Sequence, residues 1–191
     1  MIEGLIRKNR SCRRFYQSQA IDLETLKRLV NLARLSASAG NLQPLKYILA
    51  CDLKINAQIF PCLGWAGYLK NWPGPEEGER PSAYVVILGD TGIAKNFGCD
   101  HGIASQSIVL GAREIGLAGC IIESIDKKKL GAILNISPQF KILLVIAIGK
   151  PRENVVLEAV GPDGDIRYWR DDKKIHHVPK RSLKDIIVDS Y

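Results

Sequence analysis

Residues 83–89 read Ala-Tyr-Val-Val-Ile-Leu-Gly, a continuous apolar run that is rich in β-branched side chains. A run of this kind predicts a strand that is buried on both faces of a sheet. Residues 141–148 have the same character, and apolar runs at 45–51 and 117–122 predict two further strands. These four segments predict the sheet around which the rest of the chain folds.

Helical patterns lie between these strands. Asp22 can cap a helix whose apolar residues repeat at helical spacing as far as the small residues 36–41. Residues 102–115 carry a second such pattern, and Gly116 is well placed to end it. Further short helices are predicted before Asn9, at 52–60, after Asp126 and from Ser182 to Val188. Helices and strands mixed in this way predict an α/β or α+β sandwich with helices on the sheet.

Size and charge restrict the class of protein. The 191 residues are enough for one hydrophobic core and too few for two, so we expect a single domain over residues 1–191. The 27 basic and 20 acidic residues give a net charge of +7, but the two kinds alternate, which favours a mixed surface over a nucleic-acid-binding face. From residue 152 onward the chain is expected to be too polar to pack alone and to wrap over a partner subunit.

Several kinds of site and location are disfavoured. Five cysteines occur at wide spacings without a CxxC pair, which excludes a disulfide framework and a zinc site. His176 and His177 lack a third ligand at a sensible spacing, so no metal site is expected. No run approaches the roughly 20 apolar residues of a membrane span, and the first residues lack the pattern of a signal peptide. These features predict a protein of the reducing cytoplasm.

Three polar segments have groups that suit a flat, anionic ligand. Residues 10–14 combine arginines with a serine, which can donate to phosphate, although a solvated basic turn is the simpler interpretation. Residues 36–44 offer hydroxyls and two amides between a helix and a strand, where an ordinary polar loop is equally expected. Residues 117–126 run from a strand through a tight loop to a helix cap, a junction that any α/β protein contains.

Five short motifs follow one another along the chain. Residues 9–15 are similar to an Arg-Arg-Ser-x-Arg-x-Phe motif, and residues 37–44 to a Pro-Ser-x-x-Asn-x-Gln-Pro loop. Residues 112–117 match Ala-x-x-x-Gly-Leu, residues 122–124 an Ile-Glu-Gly loop, and residues 178–183 a closing basic motif. Each motif is modestly specific, but five in this order are quite specific. Over nearly its whole length the chain resembles the FMN-dependent nitroreductase family.

The resemblance implies an α+β fold, with a three-layer sandwich, a central and mainly antiparallel sheet flanked by helices, and a C-terminal segment exchanged with the partner subunit. It also implies a homodimer, FMN as the cofactor, and NADH or NADPH as the electron donor. Ten residues would bind FMN. Arg10, Ser11 and Arg13 would face the phosphate, the ribityl chain and the N1/O2 edge of the ring. Ser38, Asn41 and Gln43 would contact the flavin from the neighbouring subunit, and the backbone of Glu123 and Ser124 would face N5 and O4. Lys180 and Arg181 would return to the phosphate.

The implied activity is transfer of a hydride from NAD(P)H through flavin N5 to a small flat acceptor such as a nitroaromatic or a quinone, with ping-pong kinetics. No side-chain nucleophile is required. Asn9 stands in place of an arginine of the family pattern, Ala37 in place of a proline and Ser124 in place of a glycine, and each departure bears on cofactor binding.

Two alternatives stay open. The first is dehydrogenation, dehalogenation or flavin fragmentation on the same fold, because the residues that line the open face of the ring decide between these reactions. We expect the irregular segment 61–82 to supply those residues. The second is a non-enzymatic basic domain that binds an anion or a nucleic acid.

Overall fold

The central feature of the protein, described for residues 2–191 by a computed structural model, is a four-stranded antiparallel sheet. Its strands are β1 (Leu45–Ala50), β2 (Ala83–Asp90), β3 (Ala118–Ile122) and β4 (Phe140–Gly149), in the spatial order β1-β2-β4-β3. The two most apolar strands, β2 and β4, occupy the centre, where both faces are covered. The four predicted strands are therefore confirmed.

Helices cover both faces of this sheet. They are α1 (Ile2–Lys8), α2 (Leu23–Arg34), α3 (Leu53–Ile59), α4 (Asp100–Glu114), α5 (Lys127–Ile133) and α6 (Leu183–Ile186). Helices α2 and α4 pack on one face, and α3 and α5 on the other. Within residues 2–191 no helix has both the length and the apolar character that crossing a membrane requires. The predicted α+β sandwich with three layers is confirmed.

Side chains of the central strands alternate between the two cores. Val85 and Ile87 of β2 face the α2 and α4 layer, whereas Val86 faces α3 and α5. The β2–β4 register shifts by one residue within β4, so that Ile142 and Leu144 lie in different cores. One extra residue in a strand changes which face the following side chains cover.

Residues beyond 152 form a second, smaller sheet. Its strands are β5 (Val155–Ala159), β6 (Trp169–Arg170) and β7 (His176–Lys180), in the order β5-β7-β6. The buried carboxylate of Glu153 holds this sheet to the body of the same chain, because it accepts from the backbone N–H of Arg13 at 2.8 Å and from Arg170 at 2.6 Å. The sequence predicts that this region is too polar to pack alone, and residues 155–180 pack instead against the body of their own chain, through ion pairs and aromatic contacts.

His177 connects the three short strands. Its ring contacts the carboxylates of Glu158 on β5 and Asp171 after β6, and it stacks on Trp169 with the ring centroids 4.0 Å apart. The hydrogen bond with Glu158, followed by the one with Asp171, raises the pKa of His177 above its ordinary value. Protonation of this imidazole, which lies between two carboxylates, is therefore favoured in the folded protein.

The irregular segment 61–82 packs against the small sheet. The rings of Tyr68 and Tyr168 lie 4.9 Å apart, and the guanidinium of Arg170 lies 4.6 Å from the ring centroid of Trp72. Beyond β7, by contrast, large apolar side chains are exposed to solvent. They are those of Leu183, Ile186, Ile187, Val188 and Tyr191. Exchange of a segment with a partner subunit is not observed in this single chain.

Candidate functional site

A cleft at the free edge of β3 contains the first pair of predicted site residues. Cys12 donates its backbone N–H to the carbonyl of Gly119 at 3.0 Å, which holds residues 9–15 along this edge. Arg10 and Ser11 line the cleft, whose volume is about 170 Å³, together with Gly119 and Gln106. The structure therefore brings the N-terminal motif and β3 together, as the order of the motifs implies.

Arg10 has an incomplete set of hydrogen-bond partners. Its Nη2 donates to the carbonyl oxygen of Ile6 at 2.8 Å, whereas its buried Nε has no partner among residues 2–191. Burial lowers the pKa of Arg10 from its ordinary value. A second cavity of about 310 Å³ adjoins Arg10 and is lined by three further basic residues, Arg7, Lys8 and Arg113. An unpaired buried donor is costly, so an anionic group that accepts from it would be stabilising here.

Arg13 points away from this cleft. Its guanidinium lies 4.8 Å from the ring centroid of Tyr168, and its Nη1 is 3.3 Å from Nε2 of His176. Burial, followed by the charge of Arg13, lowers the pKa of His176 to about 4. The imidazole is therefore neutral near pH 7 and can accept a hydrogen bond from the guanidinium. Arg13 thus joins the N-terminal motif to the small C-terminal sheet, and Arg10 and Ser11 are left alone in the cleft.

The second group of predicted residues forms a tight loop after α2. Ser38, Asn41 and Gln43 surround a single 3₁₀ turn, Ala39–Asn41, and Gln43 donates its backbone N–H to the hydroxyl oxygen of Ser38 at 2.9 Å. Asn41 and Gln43 have positive φ angles of 53° and 52°, which side-chain-bearing residues rarely adopt. Their side chains are exposed, so the loop presents two amides to its surroundings.

This loop borders a cleft of its own. The cavity, of about 230 Å³, lies between α2, the start of α4 and β1, and Ser38, Gln43, Tyr47 and Asp100 are among the residues that line it. It shares no lining residue with the cleft of Arg10 and Ser11. Within one chain, therefore, the structure does not bring these two groups of predicted residues together.

The third group follows the end of β3. Glu123 and Ser124 are both exposed, and the carbonyl of Ser124 accepts from the backbone N–H of Gly64 at 2.8 Å. Neither of their own N–H groups donates to an acceptor in the described part of the chain. Gly119 in the Arg10 cleft lies four residues before Glu123, a separation of about 13 Å along an extended chain. The cleft and the two unpaired backbone donors therefore belong to the same strand and the turn that follows it.

The last pair of predicted residues ends β7. Lys180 and Arg181 are exposed and line neither of the two clefts. Lys180 lies four positions after His176, which contacts Arg13 at the other end of the strand. In the single chain, the closing basic motif is therefore not gathered around Arg10.

Sequence analysis missed three residues that organise these sites. Asp100, the first residue of α4, is 5% exposed and accepts from Ser38 and Ala39, although the pattern of helix 102–115 placed it just outside the helix. Glu153 and Tyr168 carry the contacts of Arg13, and nothing in their local sequence signals this role, because their partners lie more than 100 residues away.

Side chains that could bind a metal ion do not form a cluster in the described part of the chain. Among residues 2–191, no three His, Cys, Asp or Glu side chains are placed so that they could hold a metal ion. His176 is buried against Arg13, and His177 is paired with carboxylates, so the neighbouring histidines face different environments.

Comparison with known proteins supports the same family. A sequence profile of the nitroreductase family matches residues 6–67 and 79–150, more than half of the chain. The gap between the two matched parts falls inside the irregular segment 61–82. A Bacillus subtilis (strain 168) relative, named as a candidate NAD(P)H nitroreductase, MhqN, is 23% identical, with 78% of this chain and 87% of the relative covered.

Solved structures show the same fold. An FMN-dependent nitroreductase from Clostridium difficile R20291 is 25% identical and superposes with a TM-score of 0.66, with 81% of this chain and 89% of that chain covered. A nitroreductase family protein from Streptococcus pneumoniae TIGR4 is 16% identical, has a TM-score of 0.72 and is covered over the full length of both chains. The latter similarity extends the shared fold to the small C-terminal sheet.

Proposed function

Because the chain belongs to the nitroreductase family, we propose that it is an FMN-dependent oxidoreductase that passes a hydride from NADH or NADPH through flavin N5 to a small flat acceptor such as a nitroaromatic or a quinone. The observation that carries this proposal is the outer edge of β3. A cleft with an unpaired arginine donor lies against this strand, and the N–H groups of Glu123 and Ser124, which follow the strand, have no acceptor in the described part of the chain.

The residues at this edge fit a flavin nucleotide. The guanidinium of Arg10 and the hydroxyl of Ser11 suit the phosphate, since both donate hydrogen bonds and Arg10 adds positive charge. The N–H groups of Glu123 and Ser124 suit the polar edge of the ring at N5 and O4. Arg13, which contacts Tyr168 in the single chain, is the side chain proposed for the N1/O2 edge, where a positive charge would stabilise a reduced, anionic flavin.

A second copy of the chain completes the site in this proposal. The loop with Ser38, Asn41 and Gln43 borders a separate cleft of its own chain, so we propose that it contacts the flavin held by the partner. Lys180 and Arg181 would contact the phosphate if the C-terminal segment lay next to it in the dimer. The exposed apolar side chains of residues 183–191 then gain a partner surface to cover, which is the role proposed for an exchanged C-terminal segment.

When bound, FMN supplies the hydride acceptor and donor that this chain's own side chains lack. The protein binds and orients: charged groups hold the phosphate, backbone N–H groups face the ring edge, and the two amides of the loop limit how the ring is placed. The nicotinamide and the acceptor use the same open place in turn, so the proposal predicts ping-pong kinetics. Segment 61–82, through Tyr68 and Trp72, is proposed to shape that place.

One purified sample tests the proposal. We expect the protein to be yellow, to retain FMN through gel filtration, and to oxidise NADH or NADPH when a nitroaromatic or quinone is added. Initial rates at several acceptor concentrations should give parallel double-reciprocal lines. A colourless protein that takes up no flavin from excess FMN would refute the proposal. Retained FMN without oxidation by any of these acceptors would instead indicate another flavin reaction on the same fold.

The dimer has its own test. Deletion of residues 183–191 should convert a dimer into a monomer in light scattering and lower FMN retention, because the proposed partner contact is removed. A dimer that survives this deletion with its flavin intact would contradict the proposed role of the segment. One domain over residues 1–191 and a place in the cytoplasm are further parts of the proposal.

A further inference from the structure

A buried carboxylate lies beneath the loop after α2. Asp100 is the first residue of α4 and is 5% exposed. One of its oxygens accepts from the hydroxyl of Ser38 at 2.6 Å, and the other accepts from the backbone N–H of Ala39 at 3.0 Å. Two charge-assisted hydrogen bonds therefore join the start of the central helix to the start of the loop.

One residue of the loop has an unfavourable backbone conformation. Asn41 and Gln43 both have positive φ angles, near 50°, which asparagine adopts more readily than most residues but which are unfavourable for glutamine. Strained backbone persists where surrounding contacts hold it in place. Apart from hydrogen bonds within the loop itself, the contacts that hold its first half are the two bonds to Asp100.

The direction of these hydrogen bonds is determined by the carboxylate. An ionised carboxylate can only accept, so the Ser38 hydroxyl must donate its hydrogen to Asp100. The hydroxyl oxygen is then left to accept from the backbone N–H of Gln43, at 2.9 Å. A series of hydrogen bonds thus connects Asp100 through Ser38 to Gln43, and the two loop amides face outward.

We propose that Asp100 is a positioning residue for the flavin site: it holds the loop of Ser38, Asn41 and Gln43 in the conformation that contacts the flavin. It acts through Ser38 and does not touch the cofactor. This inference rests on the proposed function, and it adds a requirement that the family motifs do not contain. In it, Ser38 builds the loop, and the exposed amides of Asn41 and Gln43 make the contacts.

Asp100→Asn tests the inference, with Asp90→Asn as the matched control. Asp90 is similarly buried and similarly holds a turn, through the backbone N–H of Gly92 and the side chain of Gln139. In Asp100→Asn the side-chain amide can donate to Ser38, so the hydrogen bonds among residues 100, 38 and 43 no longer have one fixed direction. We expect the Kd for FMN to rise at least tenfold, which corresponds to about 1.4 kcal/mol, while Asp90→Asn changes it less than twofold.

Thermal unfolding of both apoproteins separates positioning from a general loss of stability. If Asp100→Asn lowers Tm as the control does but leaves the Kd for FMN at the control value, the inference is wrong. A double variant gives a second criterion. Because Asp100 acts through Ser38, adding Ser38→Ala to Asp100→Asn should weaken FMN binding less than twofold further, and additive losses would overturn the proposed relay.

Hydrogen exchange of the flavin-free protein distinguishes failure of this inference from failure of the proposed function. Asp100→Asn should increase amide exchange at Ala39 and Gln43 at least tenfold, and Asp90→Asn should not. Unchanged exchange refutes the positioning role, whether or not the wild-type protein binds FMN. Faster exchange in a protein that never takes up FMN would support the role of Asp100 in the loop and refute the flavin site itself.

Discussion

Replacement of Arg10 by alanine is the sharpest test of the cleft at β3. The guanidinium is already oriented, because its Nη2 donates to the carbonyl of Ile6 at 2.8 Å, and its buried Nε is free for an acceptor. A hydrogen bond to a charged group contributes about 1.5–3 kcal/mol. Loss of one such bond to the FMN phosphate predicts a Kd that is roughly 10- to 150-fold higher.

The assay is titration of the apoprotein with FMN, monitored by the quenching of flavin fluorescence. Arg7→Ala is the comparison variant: Arg7 lies one turn earlier, is exposed and paired with Glu3 at 2.8 Å, and lines the neighbouring basic cavity but not the cleft. Arg10→Lys should be intermediate, because it keeps the charge but loses the fork of donors. Raising the salt concentration should weaken wild-type binding more than binding to Arg10→Ala.

The two variants distinguish the cleft from the neighbouring cavity. If Arg10→Ala binds FMN as tightly as the wild type, the cleft does not hold the phosphate, and weaker binding by Arg7→Ala alone would assign the phosphate to the neighbouring basic cavity. The loss of the bond to Ile6 costs about 0.5–1.5 kcal/mol of stability at the end of α1, so Tm is measured for both variants.

Three further predictions concern the phosphate, pH and packing. Lys180→Ala should weaken the binding free energy of FMN by about 1.5–3 kcal/mol in the same titration, and an unchanged Kd would exclude Lys180 from the site. His177 has a raised pKa, so its stabilising contribution is complete below about pH 6.5 and is lost as the pH rises through that raised pKa. The Tm difference between wild type and His177→Gln should therefore shrink from pH 6 to pH 9, and a difference that grows would contradict the ion pairs. Gly149→Ala should destabilise the protein by about 1–3 kcal/mol in urea unfolding, because a Cβ there would lie 2.7 Å from the buried ring of Phe15, whereas Gly102→Ala, in open space within α4, should stabilise it by up to about 1 kcal/mol. Equal effects of the two glycine substitutions would show that the contact with Phe15 is not tight.

The small sheet shows where sequence patterns fail. Polarity predicts that residues from 152 onward wrap over a partner subunit, yet residues 155–180 fold against their own chain, where Glu153 pairs with Arg13 and Arg170. Each of these side chains is unremarkable in its local sequence. Their stabilising effect depends on opposite charges that meet only after the chain has folded, so periodicity carries no trace of it.

Local patterns by themselves determined the four strands of the central sheet, the helices and the order of the family motifs. Alternation and helical spacing are properties of neighbouring residues, and a cap such as Asp22 acts within one turn.

The tertiary structure decided which of these residues share a site. It turned Arg13 toward Tyr168, separated the loop of Ser38 from the cleft of Arg10, and placed Asp100 beneath that loop. These outcomes depend on packing between segments that are about 60 to 160 residues apart along the chain. The physical reason is that a hydrogen bond or ion pair is determined by distances in space, and a linear pattern specifies only distances along the chain.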